Sequence, residues 1–183
     1  MANFDNFAPF LRSWEGGFVN NPSDPGGATM CGVTMATWKQ YCRQHGIRCT
    51  VETLKNIAPA DWASIMKSGY WDKVSAGGIK CQGIANMVAD FAVNAGVTTA
   101  AKALQRAANV LHDGIVGTIT LQAVNDGNQA IIFRALRAAR LEYYQGLAKR
   151  KPEMEQFLAG WERRVKAIRL QSYVLNNGKE VKW

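Results

Sequence analysis

The apolar residues Phe4, Phe7, Phe10, Leu11 and Trp14 recur every three or four positions, the spacing that gathers side chains on one helix face, and Gly16-Gly17 ends the pattern. From Phe18 to Val33 the chain is rich in Gly, Pro, Asn and Asp and reads as a loop or small β-hairpin. Thr34 then supplies a cap for a helix to about His45, with Met35, Trp38, Tyr41 and Cys42 as its apolar stripe and Gly46 as its stop. Helical pattern returns over 60–70 and over 84–95, where Ile84, Met87, Val88, Phe91 and Ala92 share one broad face and Gly96 follows.

Past residue 97 the loop chemistry thins out. Thr98 is placed to cap a helix to Leu111, Asp113-Gly114-Ile115-Val116-Gly117 makes a tight turn, and Thr118 is placed to cap the next helix. Two long helices, 129–149 and 153–175, are parted near Pro152. Phe133, Leu136, Leu141, Tyr144 and Leu147 on one, and Phe157, Trp161, Val165, Ile168, Leu170 and Tyr173 on the other, form core-facing stripes. The fold class expected is mainly α, with a small loop or β-hairpin and a C-terminal helical part. A soft boundary divides 1–96 from 97–183, packed as one body.

Charge narrows the choice of partner. Lys and Arg number 22 against 14 Asp and Glu, a net +8 that suits nucleic acid, an acidic membrane surface or an anionic wall polymer. There is no basic run of five or more: Lys102, Arg106, Arg134, Arg137, Arg140, Lys149, Arg150, Arg163 and Arg164 are spread out and read as solvated helix faces. Nucleic acid is therefore not expected. Asp5, Arg12 and Glu15 interrupt the N-terminal apolar residues, and no apolar stretch nears the roughly 18 residues of a membrane span. The expectation is synthesis in the cytoplasm without a signal peptide, no stable membrane insertion, and a monomer. Cys31, Cys42, Cys49 and Cys81 lack the paired short spacing of a zinc site, and His45 and His112 lie far apart, so neither metal nor cofactor is expected. Free thiols are expected, with Cys42 and Cys49 the pair that an oxidising compartment would join.

Glu15 stands where the first helix ends. The carboxyl end of a helix is partially negative and works against a second negative charge, so Glu15 is expected to keep its proton and serve as a general acid for glycosidic cleavage. Asp24, nine residues on, is a candidate second carboxylate, since the glycines between them allow the loop to double back. Thr29 offers a hydroxyl to orient water. The plainer alternative is a tight turn with two solvated acids.

The run Glu15-Gly16-Gly17-Phe18-Val19-Asn20-Asn21-Pro22, followed by Asp24, Gly26-Gly27, Thr29, Gly32 and Thr34, closely resembles the N-terminal signature of the glycoside hydrolase family 108 muramidases, lysozyme-like enzymes of phages and bacteria. The resemblance implies a lysozyme-like fold, with Glu15 as the acid that cuts the β-1,4 bond after N-acetylmuramic acid in peptidoglycan. The Glu15-to-Asp24 interval also resembles that of phage lysozymes, whose threonine would fall at position 30, where this chain has Met30 beside Thr29. Asp90-Phe91-Ala92-Val93-Asn94-Ala95-Gly96 is similar to the family's Asp-x-x-x-Asn-x-Gly run: Asp90 and Asn94, one helical turn apart, either contact a sugar or fix Glu15, or Asn94 only satisfies a helix end. Tyr70 and Trp71 match a family aromatic pair and either stack on pyranose rings or fill the core.

Leu104-Gln105, then Asp113-Gly114-Ile115-Val116-Gly117 and Thr120, resemble the predicted peptidoglycan-binding module of the family, or form a purely structural turn. The three segments follow the family's order and span nearly the whole chain. The implied activity is a peptidoglycan hydrolase acting on glycan strands after release or non-classical export. The alternatives are a lytic transglycosylase and a non-catalytic peptidoglycan-binding or phage structural protein.

Overall fold

The computed structural model describes residues 1–20 and 28–183. Asn3 caps α1 (Phe4–Trp14) by accepting the Asp5 N–H, and the buried faces of Phe4, Phe7, Phe10 and Leu11 match the sequence spacing. Beyond α1, β1 (Phe18–Val19), β2 (Thr29–Met30) and β3 (Val33–Thr34) form a small antiparallel sheet in the order β1-β2-β3. The β2–β3 turn has only Cys31 and Gly32 between the paired Met30 and Val33, and both have positive φ (46° and 80°), as a tight two-residue hairpin of type I′ requires.

Thr34 caps α2 (Met35–His45) and Gly46 ends it in the left-handed region, as the sequence indicates. α3 (Val51–Lys55) and α4 (Pro59–Met66) follow, and α4 runs into a π turn over Lys67–Trp71. At the centre is α5 (Gln82–Ala95). The expectation of one broad apolar face understates its burial, because every residue from Gln82 to Phe91, and Ala92 after them, is buried. It is enclosed by α1, the π turn, α6 (Val97–Ala107) and α8 (Gln129–Arg150).

Two caps fall elsewhere than the sequence suggests. Gly96 ends α5 and starts α6 at once, so Thr98 is already inside α6, which stops at Ala107 rather than at Leu111. α7 (Thr118–Asp126) is capped from Gly117, leaving Thr118 as its first helical residue. The last helix is also shorter than the 153–175 reading: α9 is Glu155–Ala167, preceded by a 3-10 turn at Pro152–Met154. Ser172–Val174 (β4) then pairs with Glu180–Lys182 (β5) in a hairpin. Tyr173 thus belongs to a strand, and its ring packs on Phe10 at 5.3 Å.

The two halves share one hydrophobic core. They are also joined by bonds between side chains and backbone groups. Asn125 accepts from Lys80 N–H and donates to Gly78 O, and Ser75 Oγ donates to Val116 O. No helix is long and apolar enough to cross a membrane among the described residues.

Candidate active site

Glu15 is the C-cap of α1, and its N–H donates to Leu11 O at 3.0 Å. The end of this helix is fixed from the far end of the chain. Trp14 Nε1 donates to Val174 O at 3.1 Å, and Asn176 N donates to Ser13 Oγ at 3.2 Å, so the C-terminal hairpin clamps the last turn of α1. The carboxyl leaves the helix end with 15% of the side chain exposed.

Two features grip that carboxyl. Arg164, on α9, donates from Nη2 to Glu15 Oε1 at 2.7 Å. On the other side is Gly32 of the β2–β3 turn, where a Cβ would lie 2.8 Å from Glu15 Oε2 and 3.2 Å from its Cδ. The turn is itself held by Trp62, whose Nε1 donates to Cys31 O at 2.9 Å, and Arg12 lies over the Trp62 ring. Burial pushes the Cys31 thiol up; Arg12 lowers it and Glu15 raises it by smaller amounts. Tyr70 is half-buried, and burial first and the charge of Glu15 second push its hydroxyl up. The helix end is thus not the whole of the surroundings of Glu15: the Arg164 guanidinium is in direct contact with its carboxyl.

Behind Arg164 the charges continue inward. Its Nε donates to both Asp90 oxygens at 3.1 Å, and its Nη2 also donates to Asp90 Oδ1 at 2.7 Å. Arg140, on α8, donates to Asp90 Oδ2 at 2.6 Å and to the Tyr144 hydroxyl, with its guanidinium over the Phe91 and Tyr144 rings. Burial alone would raise the Asp90 carboxyl, but Arg164 and Arg140 together outweigh it and hold it below the usual carboxylate range.

These positions correct several sequence expectations. Asp90 has 0% exposure and both oxygens occupied, so it offers nothing to a sugar and reaches Glu15 only through Arg164. Trp71, 2% exposed, packs against Phe4 and Phe7 and fills the core, whereas its neighbour Tyr70 stays at the surface near Glu15. Asn94 is exposed at the end of α5 and its Nδ2 donates to Asp90 O, which serves the helix end. Thr29 is half-buried in β2, paired with Val19 and Thr34. Asp24 lies outside the described residues. Arg140 and Arg164, read from sequence as solvated charges, are buried.

In the second half, Gln105 donates to Asp113 Oδ1, Ile115 O and Thr120 Oγ1 and accepts from Gly114 N–H. Gln105, Asp113 and Thr120 therefore lock their own turn. At and beside this turn the large apolar side chains Leu111, Ile115 and Ile119 are exposed.

Residues 8–96 match the family model described as Glycosyl hydrolase 108, and residues 99–166 match the one described as Predicted Peptidoglycan domain. Among solved structures, the chain is similar to SagA of Brucella abortus, at 30% identity over 90% of this chain and 94% of that one, with a TM-score of 0.68. A comparison with curated protein sequences finds no match. The agreement in order, extent and three-dimensional fold places the chain in the glycosyl hydrolase 108 family, as a glycoside hydrolase whose second half matches a peptidoglycan domain.

Proposed function

We propose that the protein is an N-acetylmuramidase that hydrolyses the β-1,4 bond between N-acetylmuramic acid and N-acetylglucosamine in peptidoglycan, with Glu15 as general acid. The observation that carries this reading is the Glu15 carboxyl itself: set at a helix end, gripped by Arg164 and Gly32, and still reachable by solvent. A glycosidic oxygen brought within hydrogen-bond reach takes the Glu15 proton as its bond to the anomeric carbon breaks.

Asp24, which follows β1 in sequence, is the second carboxylate of the proposal, offsetting positive charge at the anomeric carbon or activating the attacking water, and Thr29 helps orient that water. Tyr70 supplies an aromatic face beside Glu15 for a pyranose ring. The net +8 charge favours approach to anionic wall polymers, and the exposed Leu111, Ile115 and Ile119 give the second half an apolar surface for wall contact.

Digestion of purified sacculi followed by mass spectrometry of the fragments tests the bond and the chemistry together. Reducing N-acetylmuramic acid ends are expected. Reducing N-acetylglucosamine ends would move the cut to the other bond, and anhydro ends would mean transglycosylation, in which the sugar's own hydroxyl replaces water.

A further inference from the structure

The family match divides the chain after residue 96, with the catalytic region before it and a peptidoglycan domain after it. The charge chain ignores that division. Glu15 and Asp90 come from the first region, Arg140 and Arg164 from the second, and the Arg164 contact to Glu15 links residues 149 positions apart. We propose that Arg164 is a positioning residue for Glu15, aimed by Asp90 and braced by Arg140, so that the second region completes the catalytic centre as well as serving the wall.

Arg164 is suited to this by its own immobility. Its side chain is 9% exposed, and three bonds to Asp90 leave its guanidinium one orientation, from which Nη2 meets Glu15 Oε1. Asp90 has no exposed surface and is in turn held by Arg140, whose own orientation is fixed by the Tyr144 hydroxyl and the two aromatic faces. A planar fork with several donors can serve both carboxylates at once, which a single ammonium cannot do with the same geometry. A glutamate at a helix end has free side-chain torsions that this contact removes, and fixed placement of a reacting group is where much of a catalytic rate comes from.

The inference rests on Glu15 being the acid, and the full-length variants Glu15→Gln, Arg164→Gln, Arg164→Lys and Arg163→Gln separate the two claims. Arg163 is the exposed neighbour, whose guanidinium lies over the Trp14 ring, so its variant removes the same charge without removing a bond to Glu15 or Asp90. With circular dichroism confirming the fold, Arg164→Gln is expected to lower kcat on soluble glycan about 100-fold with KM within about twofold, Arg164→Lys to recover part of the loss, and Arg163→Gln to match the native protein. Arg164→Lys is the variant to read where Arg164→Gln does not fold. In a Glu15→Gln background, Arg164→Lys should lower the residual rate no further, because a residue acting through Glu15 has nothing left to position. Unchanged kcat in Arg164→Lys and Arg164→Gln, a full additive loss in the double variant, or loss of the fold in both Arg164 variants overturns the positioning role. An active Glu15→Gln enzyme overturns the assignment of the acid instead.

Discussion

Replacing Gly32 with alanine puts one methyl group against the Glu15 carboxyl. The new Cβ would sit 2.8 Å from Oε2, and ordinary contact begins at 3.4 Å, so the carboxyl must retreat by about 0.6 Å. Oε2 ends a side chain, so the retreat displaces no backbone; what it disturbs is the Arg164 contact on Oε1. The backbone contributes separately: φ is +80°, and an L side chain in the left-handed region costs about 1–2 kcal/mol. At roughly 2–4 °C per kcal/mol for a chain of this size, the melting midpoint should fall by only a few degrees. Activity should fall much further, by about 10-fold to 100-fold, since a displacement near 1 Å at a reacting group costs on the order of 100-fold. Gly46→Ala is the matched control: its φ is +66°, and a Cβ there meets nothing within 4 Å. Clearing of sacculus suspensions and thermal melting of both variants form the assay. If the two lose equal stability and clear sacculi equally fast, the placement of the Glu15 carboxyl by this turn is refuted.

Gly83→Ala should cost about 3 kcal/mol, because its Cβ would lie 2.5 Å from Leu170 O and 2.7 Å from Arg169 O, and backbone does not yield as a side-chain tip does; a melt within two or three degrees of native would contradict this. Trp71→Ala should lower the midpoint by about 10 °C through a loss of about 3–5 kcal/mol, while Tyr70→Ala, beside Glu15 and half-buried, should raise KM with a much smaller loss of stability. Asp90 has a folded pKa below its unfolded one, so its contribution is fully present above the unfolded value of about 3.9 and is lost as pH falls through the lower folded value. The melting midpoint should therefore drop steeply below about pH 4. Asp90→Asn should flatten that drop while losing about 3–5 kcal/mol at neutral pH, because Arg140 is left buried with a neutral partner and Arg164 keeps only Glu15.

What the sequence made legible was local. The spacing of Phe4, Phe7, Phe10 and Leu11 fixes the phase of α1 and so puts Glu15 at its end, and Thr34 and Gly46 bracket α2 by cap chemistry that needs no tertiary partner. Reading α9 on to Leu175 failed because Val165, Ile168 and Tyr173 also fit a helical stripe; the stronger signal was the Asn176-Asn177-Gly178 turn beyond β-forming Tyr173-Val174. Thr98 and Thr118 have the right chemistry for caps, but the preceding glycines already occupy that position. Arg140 and Arg164 were missed because a charge is usually solvated. Phase would have exposed them: Arg140 lies four residues from both Leu136 and Tyr144, and Arg164 lies three after Trp161 and four before Ile168, so both point where the apolar stripes point. Tyr70 and Trp71 are adjacent in sequence, and only the π turn's packing against α1 decides which of them goes inward.

Glu15→Gln keeps the size of the side chain and its ability to accept from Arg164, and removes only the proton that a carboxyl can give away. Turbidity loss of purified sacculi, followed side by side for the native protein and this variant at equal concentration and equal melting midpoint, therefore tests the acid directly. If Glu15 is the acid, the native protein clears the suspension and the variant loses activity by at least about 100-fold, on the order of what general acid catalysis supplies. Clearing at the native rate by the glutamine variant would contradict that role.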